Sequence, residues 1–215
     1  MRRRPKLIEH LRSGLEGGDA LWEEQAEKLR PGELACRGGC FGCCLGLFEI
    51  SLAEALVALE GVRLLPKAER DEVSARAERI VDKNQALFPG DAEAGILDPE
   101  RNEEEDDRYF DAEAHTACPM LELPSGRCRI YTHRPLTCRT FGLAWMRGSR
   151  TVSPACNMNF PMDDARARET GIAVRSILAI DTELAAHLNG KGLPGGAETT
   201  LAHAVVGTAF PRSGA

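Results

Sequence analysis

Four cysteines fall within nine residues, at Cys36, Cys40, Cys43 and Cys44, with Gly38, Gly39 and Gly42 between them. Four more follow at Cys118, Cys128, Cys138 and Cys156. A metal site needs several soft thiolates within about 2.3 Å of an ion, and close spacing lowers the entropy lost in gathering them. Glycine lets the chain wrap tightly and turn its amides toward sulfur. Four cysteines scattered at random would rarely bunch this way, so the first cluster points to metal ligation. The second four have no local pattern that makes them ligands on their own. For any one of them, an ordinary buried cysteine is the alternative reading.

Eight cysteines in an oxidising compartment would suggest four disulfides, whereas in a reducing one they serve as ligands or catalysts. Arg2-Arg3-Arg4 could open a signal peptide. It runs into Pro5-Lys6-Leu7-Ile8-Glu9-His10, with charges where an apolar stretch should stand. No segment approaches the roughly 20 apolar residues that cross a bilayer. A cytoplasmic location with no membrane partner is therefore expected. The net charge of −6 offers no basic face to phosphates, so no nucleic-acid partner is expected either. With 43% hydrophobic residues in 215, the chain can build a core without cysteine staples.

The pattern predicts a mainly α fold with irregular metal-binding loops and a short β-hairpin, in a single small domain. Residues 1–30 read as an N-terminal helical extension, amphipathic from residue 5, breakable at Gly17-Gly18 and stopped by Pro31-Gly32. Residues 31–190 would hold the cysteine-cluster domain. Within them Ser51-Leu52-Ala53-Glu54 is a capping box, and Leu52, Ala55, Leu56 and Leu59 share one helical face. A further helix spans about 66–87. The acidic run over 91–108 reads as a solvated loop. Residues 120–131 read as a hairpin turning at Pro124-Ser125-Gly126. A long helix is expected from Asp163 to Leu188, with Val174, Ile177, Leu178, Leu184, Ala185 and Leu188 as its apolar stripe. Residues 191–215 form a Gly-rich C-terminal tail with one short helical possibility, Glu198 to Val206.

Cys36-x3-Cys40-x2-Cys43-Cys44, then Cys118-Pro-Met-Leu, then Cys128-Arg-Ile-Tyr-x-x-Arg134-Pro135-x-x-Cys138-Arg139-x-Phe141 resembles the zinc- or iron-chelating CxxCxxCC family, also called YkgJ-like cysteine-cluster proteins. The resemblance covers roughly residues 36–156 and departs from the family's name by one extra residue between Cys36 and Cys40. It implies Cys36, Cys40, Cys43, Cys44, Cys118, Cys128 and Cys138 as candidate ligands, with Cys156 matching a more loosely placed family cysteine. The flagellin lysine methylases look related, which implies that such a fold can hold a cluster that takes part in methyl transfer.

Zinc prefers four tetrahedral ligands, commonly from two C-x2-C knuckles, and only Cys40-x2-Cys43 has that form. Polynuclear clusters accept more varied spacing. Adjacent Cys43 and Cys44 are expected to point different ways, which suits two metals or different atoms of one cluster. The cofactor expected is an iron–sulfur cluster or zinc, leaning to iron–sulfur. Cys36-x3-Cys40-x2-Cys43 is also similar to the three-cysteine loop of radical SAM enzymes, but no strand–helix succession supplies their barrel.

Arg134 and Arg139 are candidate cofactor-binding residues that would hydrogen-bond thiolates, or else they pair with surface acids. His115 and His133 are possible ligands or simply exposed histidines. Tyr131 and Phe141 read as shields over the metal, and Trp145 as a core residue. The leading expectation is a metal-binding protein. The alternative is a cluster-dependent methyl-transfer or redox enzyme, for which no acid–base pair, G-x-G-x-x-G, P-loop or H-E-x-x-H is present. Thiol–disulfide exchange through Cys40-Phe-Gly-Cys43 is a third reading, without the strand and helix start that activate such a thiol.

Overall fold

The computed structural model describes residues 3–160 and 164–207. In chain order the elements are α1 (Arg3–Ala26), β1 (Glu49–Ser51), α2 (Leu52–Leu64), α3 (Lys67–Asn84), β2 (Gly90–Asp91), β3 (Ile96–Leu97) and α4 (Glu103–Ala112). Then come β4 (Leu121–Glu122), β5 (Arg127–Cys128), α5 (Leu136–Thr140), β6 (Trp145–Arg147) and β7 (Arg150–Ser153). The chain continues through α6 (Asp164–Glu169), β8 (Ile172–Ala173), α7 (Val174–Asn189), β9 (Glu198–Thr200) and α8 (Leu201–Val206). The fold is mainly α and forms one domain, and the strands among the described residues lie in sheets of two or three.

α2 is the central helix. Its capping box forms as the sequence predicts: Ser51 Oγ accepts from the Glu54 amide, and Glu54 Oε2 accepts from the Ser51 amide at 2.7 Å. The single apolar face expected of it is too narrow a description. Leu52, Ala53, Ala55, Leu56, Val57, Ala58 and Val62 are all buried, so two faces serve two cores. Glu54 is buried too, and its other oxygen accepts from the Leu136 amide at 2.6 Å, tying α2 to the start of α5. Burial pushes this carboxyl up to about 7, against the donors at Ser51 and Leu136.

α1 runs unbroken through Gly17-Gly18, where a break was possible. The glycines form a notch for the helices packed on them. A Cβ on Gly14 would lie 2.7 Å from Leu184 Cδ2, and one on Gly18 would lie 2.5 Å from Leu136 Cδ1. Close approach of the helices offsets the helix propensity that glycine gives up. Leu11 and Leu15 are fully buried, so α1 belongs to the main core.

The acidic run is not a loop. After the β2–β3 hairpin, Asn102 and Glu105 form a second capping box, and Glu103, Glu104, Glu105 and Asp106 stand in the first turn of α4. Carboxylates there complement the helix dipole. The expected 163–188 helix is divided instead into α6, β8 and α7, and its expected start at Asp163 lies outside the described residues. A Cβ on Gly171 would meet Met146 Cγ at 2.5 Å and the Ala144 carbonyl at 2.9 Å. The chain extends there to pair β8 in parallel with β6. Leu178, expected in the apolar stripe, is 52% exposed.

Residues 191–207 are built into the domain: β9 pairs antiparallel with β1, and α8 is buried against α3. Residues 208–215 of the expected tail lie outside the described residues. In α8, His203 Nδ1 is 3.0 Å from Thr200 Oγ1 and the ring lies 4.1 Å from that of Phe88. Burial lowers its pKa from 6.5 to about 4. Between those values the folded protein holds His203 neutral while the unfolded chain protonates it, so stability is lost as pH falls from about 6.5 toward 4. The shift corresponds to roughly 3 kcal/mol at its full extent. Urea midpoints compared between pH 7 and 4 should therefore fall less in His203→Gln than in the parent chain. Equal pH dependence in the two would rule the assignment out.

Candidate metal centre

The cysteine loop is held from two sides. Its first half is tied to residues 156–160: Asn159 Oδ1 accepts from the Ala35 amide at 2.9 Å, and the Phe160 amide donates to the Glu33 carbonyl at 2.8 Å. Its second half is tied to the segment before β4, where the Cys118 amide donates to the Cys44 carbonyl and the Gly46 amide to that of Thr116, both at 2.8 Å. The middle rests on the β4–β5 turn. A Cβ on Gly126 would lie 2.4 Å from the Gly39 carbonyl, and φ of +72° also favours glycine there. Cys128 stands in β5 opposite Leu121, and Cys138 lies in α5.

All eight cysteines are free thiols, with Cys43 exposed and the other seven half-buried. Their mutual electrostatics show which thiols act on which. Burial first, then the thiols of Cys118, Cys128 and Cys43, holds Cys138 well above the usual thiol range. Burial pushes Cys118 up to about 12, with added repulsion from Cys128 and Cys43. Cys43 is raised first by its hydrogen bond with the Cys44 thiol and then by burial. Burial also raises Cys36, where Cys156, Cys40 and Cys43 add repulsion. By these influences Cys43 acts in two sets of thiols: one with Cys44, Cys118, Cys128 and Cys138, the other with Cys36, Cys40 and Cys156.

Cys43 and Cys44 lie together in the tight 3-10 turn over Gly42–Cys44. Tyr131 and Phe141, expected as shields, are 61% and 39% exposed. Tyr131 carries the Arg134 guanidinium on its ring at 3.8 Å. Trp145 is partly buried against the main core, as expected. His115 is exposed, while His133 packs against α2, where a Cβ on Gly61 would approach it to 2.7 Å.

Arg134 and Arg139 converge on Asp19 of α1. Arg134 donates to Asp19 Oδ1 at 2.6 Å, and Arg139 donates to Oδ2. Arg139 also donates to the carbonyls of Arg134 and Thr132, both at 2.9 Å, and is buried. The charge of Arg134 reaches the thiols, favouring the thiolate at both Cys43 and Cys128.

Two residues of the site were not foreseen. Asp19 carried no signal, since its partners lie 115 and 120 residues away. Asn159 is buried and aims its amide nitrogen at the Gly142 carbonyl at 2.7 Å and at Cys36 Sγ at 3.5 Å. That contact eases ionisation of Cys36. Its only sequence hint is proximity to Cys156.

Helices and a hairpin that gather distant cysteines round a Gly-rich cysteine loop define a cysteine-cluster domain. Residues 35–157 match the CxxCxxCC domain, described as zinc- or iron-chelating. The match spans more than half of the chain and every cysteine, and the chain belongs to this family. No curated protein and no solved structure matches it. Among the described residues no helix is long and apolar enough to cross a membrane.

Proposed function

We propose that the chain binds zinc or iron through thiolates of Cys36, Cys40, Cys43, Cys44, Cys118, Cys128, Cys138 and Cys156. The observation that supports this reading best is the gathering of Cys43, Cys44, Cys118, Cys128 and Cys138, from four separate segments, as free thiols. Like-charged thiolates repel one another, and a metal cation reverses that repulsion. The donor set fits a soft or borderline metal: thiolates throughout, with Arg134 at hand to balance excess negative charge.

Among the described residues, no three His, Cys, Asp or Glu side chains are already placed to hold an ion. In this reading metal uptake and ordering of the loop are coupled. Cys43 with the four thiols grouped with it makes five, one more than a single tetrahedral zinc accepts. This number supports a polynuclear centre, either an iron–sulfur cluster or two ions. Arg139 in this reading supports the site through Asp19 and the backbone, and Asn159 orients Cys36.

The protein purified without air should contain iron with acid-labile sulfide and be coloured. Zinc at more than one ion per chain, in colourless protein, would keep the thiolate reading and discard the cluster. Free thiols with neither metal, after incubation with both, would end it.

A further inference from the structure

A cleft of about 510 Å³ among the described residues has no cysteine in its lining. It opens between the β6–β7 turn, the end of α6 and the start of α7. We propose that this cleft binds a small organic phosphate. Its size is in the range of small-molecule sites. Arg147, Arg168 and Arg175 line it, and no lining residue is acidic. Among the described residues none of the three has a carboxylate partner, in a chain that carries 33 acids against 27 bases. By contrast Arg166, also on α6, pairs with Glu33 and Glu169.

A second feature adds positive potential. Ala173, Val174 and Arg175 of the lining form the N-terminus of α7, a helix of 16 residues. It has no side-chain cap and no acid in its first turn, so the helix itself supplies nothing to neutralise the positive end of its dipole. Backbone amides at such an end suit anion oxygens, and guanidinium forks match phosphate geometry. Three guanidiniums and a dipole end suit a doubly charged anion better than a monocarboxylate, and a phosphate monoester carries about −1.5 to −2 near neutral pH.

The rest of the lining is apolar, which separates an organic phosphate from the inorganic ion. Met146 and Val174 form a buried floor, and Leu178 leaves the core face of α7 to stand exposed at this cleft. An apolar body resting on these side chains removes their surface from water. The exposure of Leu178, unaccounted for by packing, has a use here.

The test is titration of the full-length protein with phenyl phosphate and with inorganic phosphate, followed by backbone amide NMR shifts. Phenyl phosphate should saturate and shift amides near residues 146–148 and 171–178, and inorganic phosphate should bind about tenfold more weakly or less. The triple variant R147Q/R168Q/R175Q should weaken phenyl phosphate by at least about tenfold while metal content stays unchanged. Leu178→Asn should weaken phenyl phosphate while leaving inorganic phosphate unaffected. Three results would overturn the proposal: no saturation, equal affinity for the two ligands, or unchanged affinity in both variants.

Discussion

Cys43→Ser should lose bound metal and, with it, protease resistance across residues 36–156. Cys43 is the residue to change because it neighbours both groups of thiols, Cys118 and Cys138 on one side and Cys36 on the other. Structural zinc contributes on the order of 10–16 kcal/mol to the folding of small zinc-finger peptides. A loss of even a fraction of that is large against the roughly 5–15 kcal/mol that holds a whole domain folded. Limited proteolysis and metal analysis on the same samples are the measurement. Cleavage is expected first in the loop round Gly38–Gly42, and a chelator added to the parent chain should reproduce the pattern. Retention of full metal content by Cys43→Ser would show that the shared position of this thiol has no part in binding.

Asp19→Ala should destabilise the domain by about 3–5 kcal/mol, the usual cost of leaving a buried charge without its partner. The side chain of Arg139 is only 2% exposed and that of Arg134 14%, so neither guanidinium can recover full hydration in place. The loss should also reach the thiols. Arg139 is adjacent to Cys138 and holds the Arg134 and Thr132 carbonyls, so its displacement loosens the segment between Cys128 and Cys138. Asp19→Asn keeps a hydrogen-bond acceptor without the charge and should fall between Ala and the parent chain. Urea midpoints with and without metal give the comparison. A shift below about 0.5 kcal/mol, the ordinary size for a surface change, would mean that the pair carries little of the fold.

Sequence reading succeeded where the determining interactions are local. The Ser51–Glu54 capping box spans four residues, the hairpin turn at Pro124-Ser125-Gly126 is self-contained, and the Cys36–Cys44 spacing is visible as written. The same rule would have found α4, because Asn102 and Glu105 have capping-box spacing; the density of acids drew the reading toward a solvated loop. The long helix failed at Thr170-Gly171 for a different reason. The apolar spacing of Val174, Ile177, Leu184 and Leu188 is helical, but nothing local reveals that β6 takes the preceding residues as a strand.

The site divides in the same way. Sequence alone determined that the chain carries a soft-donor loop and a mainly helical domain, because thiol spacing, helix caps and apolar period act over a few residues. Tertiary structure decided that the charge of Cys43 acts on both Cys36 and Cys138, that Arg134 and Arg139 meet on Asp19, and that Asn159 faces Cys36. These pairings join residues up to 123 apart. They depend on how closely helices approach at the Gly14–Gly18 notch and how α2 anchors α5 through Glu54. Such contacts arise from packing of the whole core, where a side chain's partner is set by shape and burial rather than by separation along the chain.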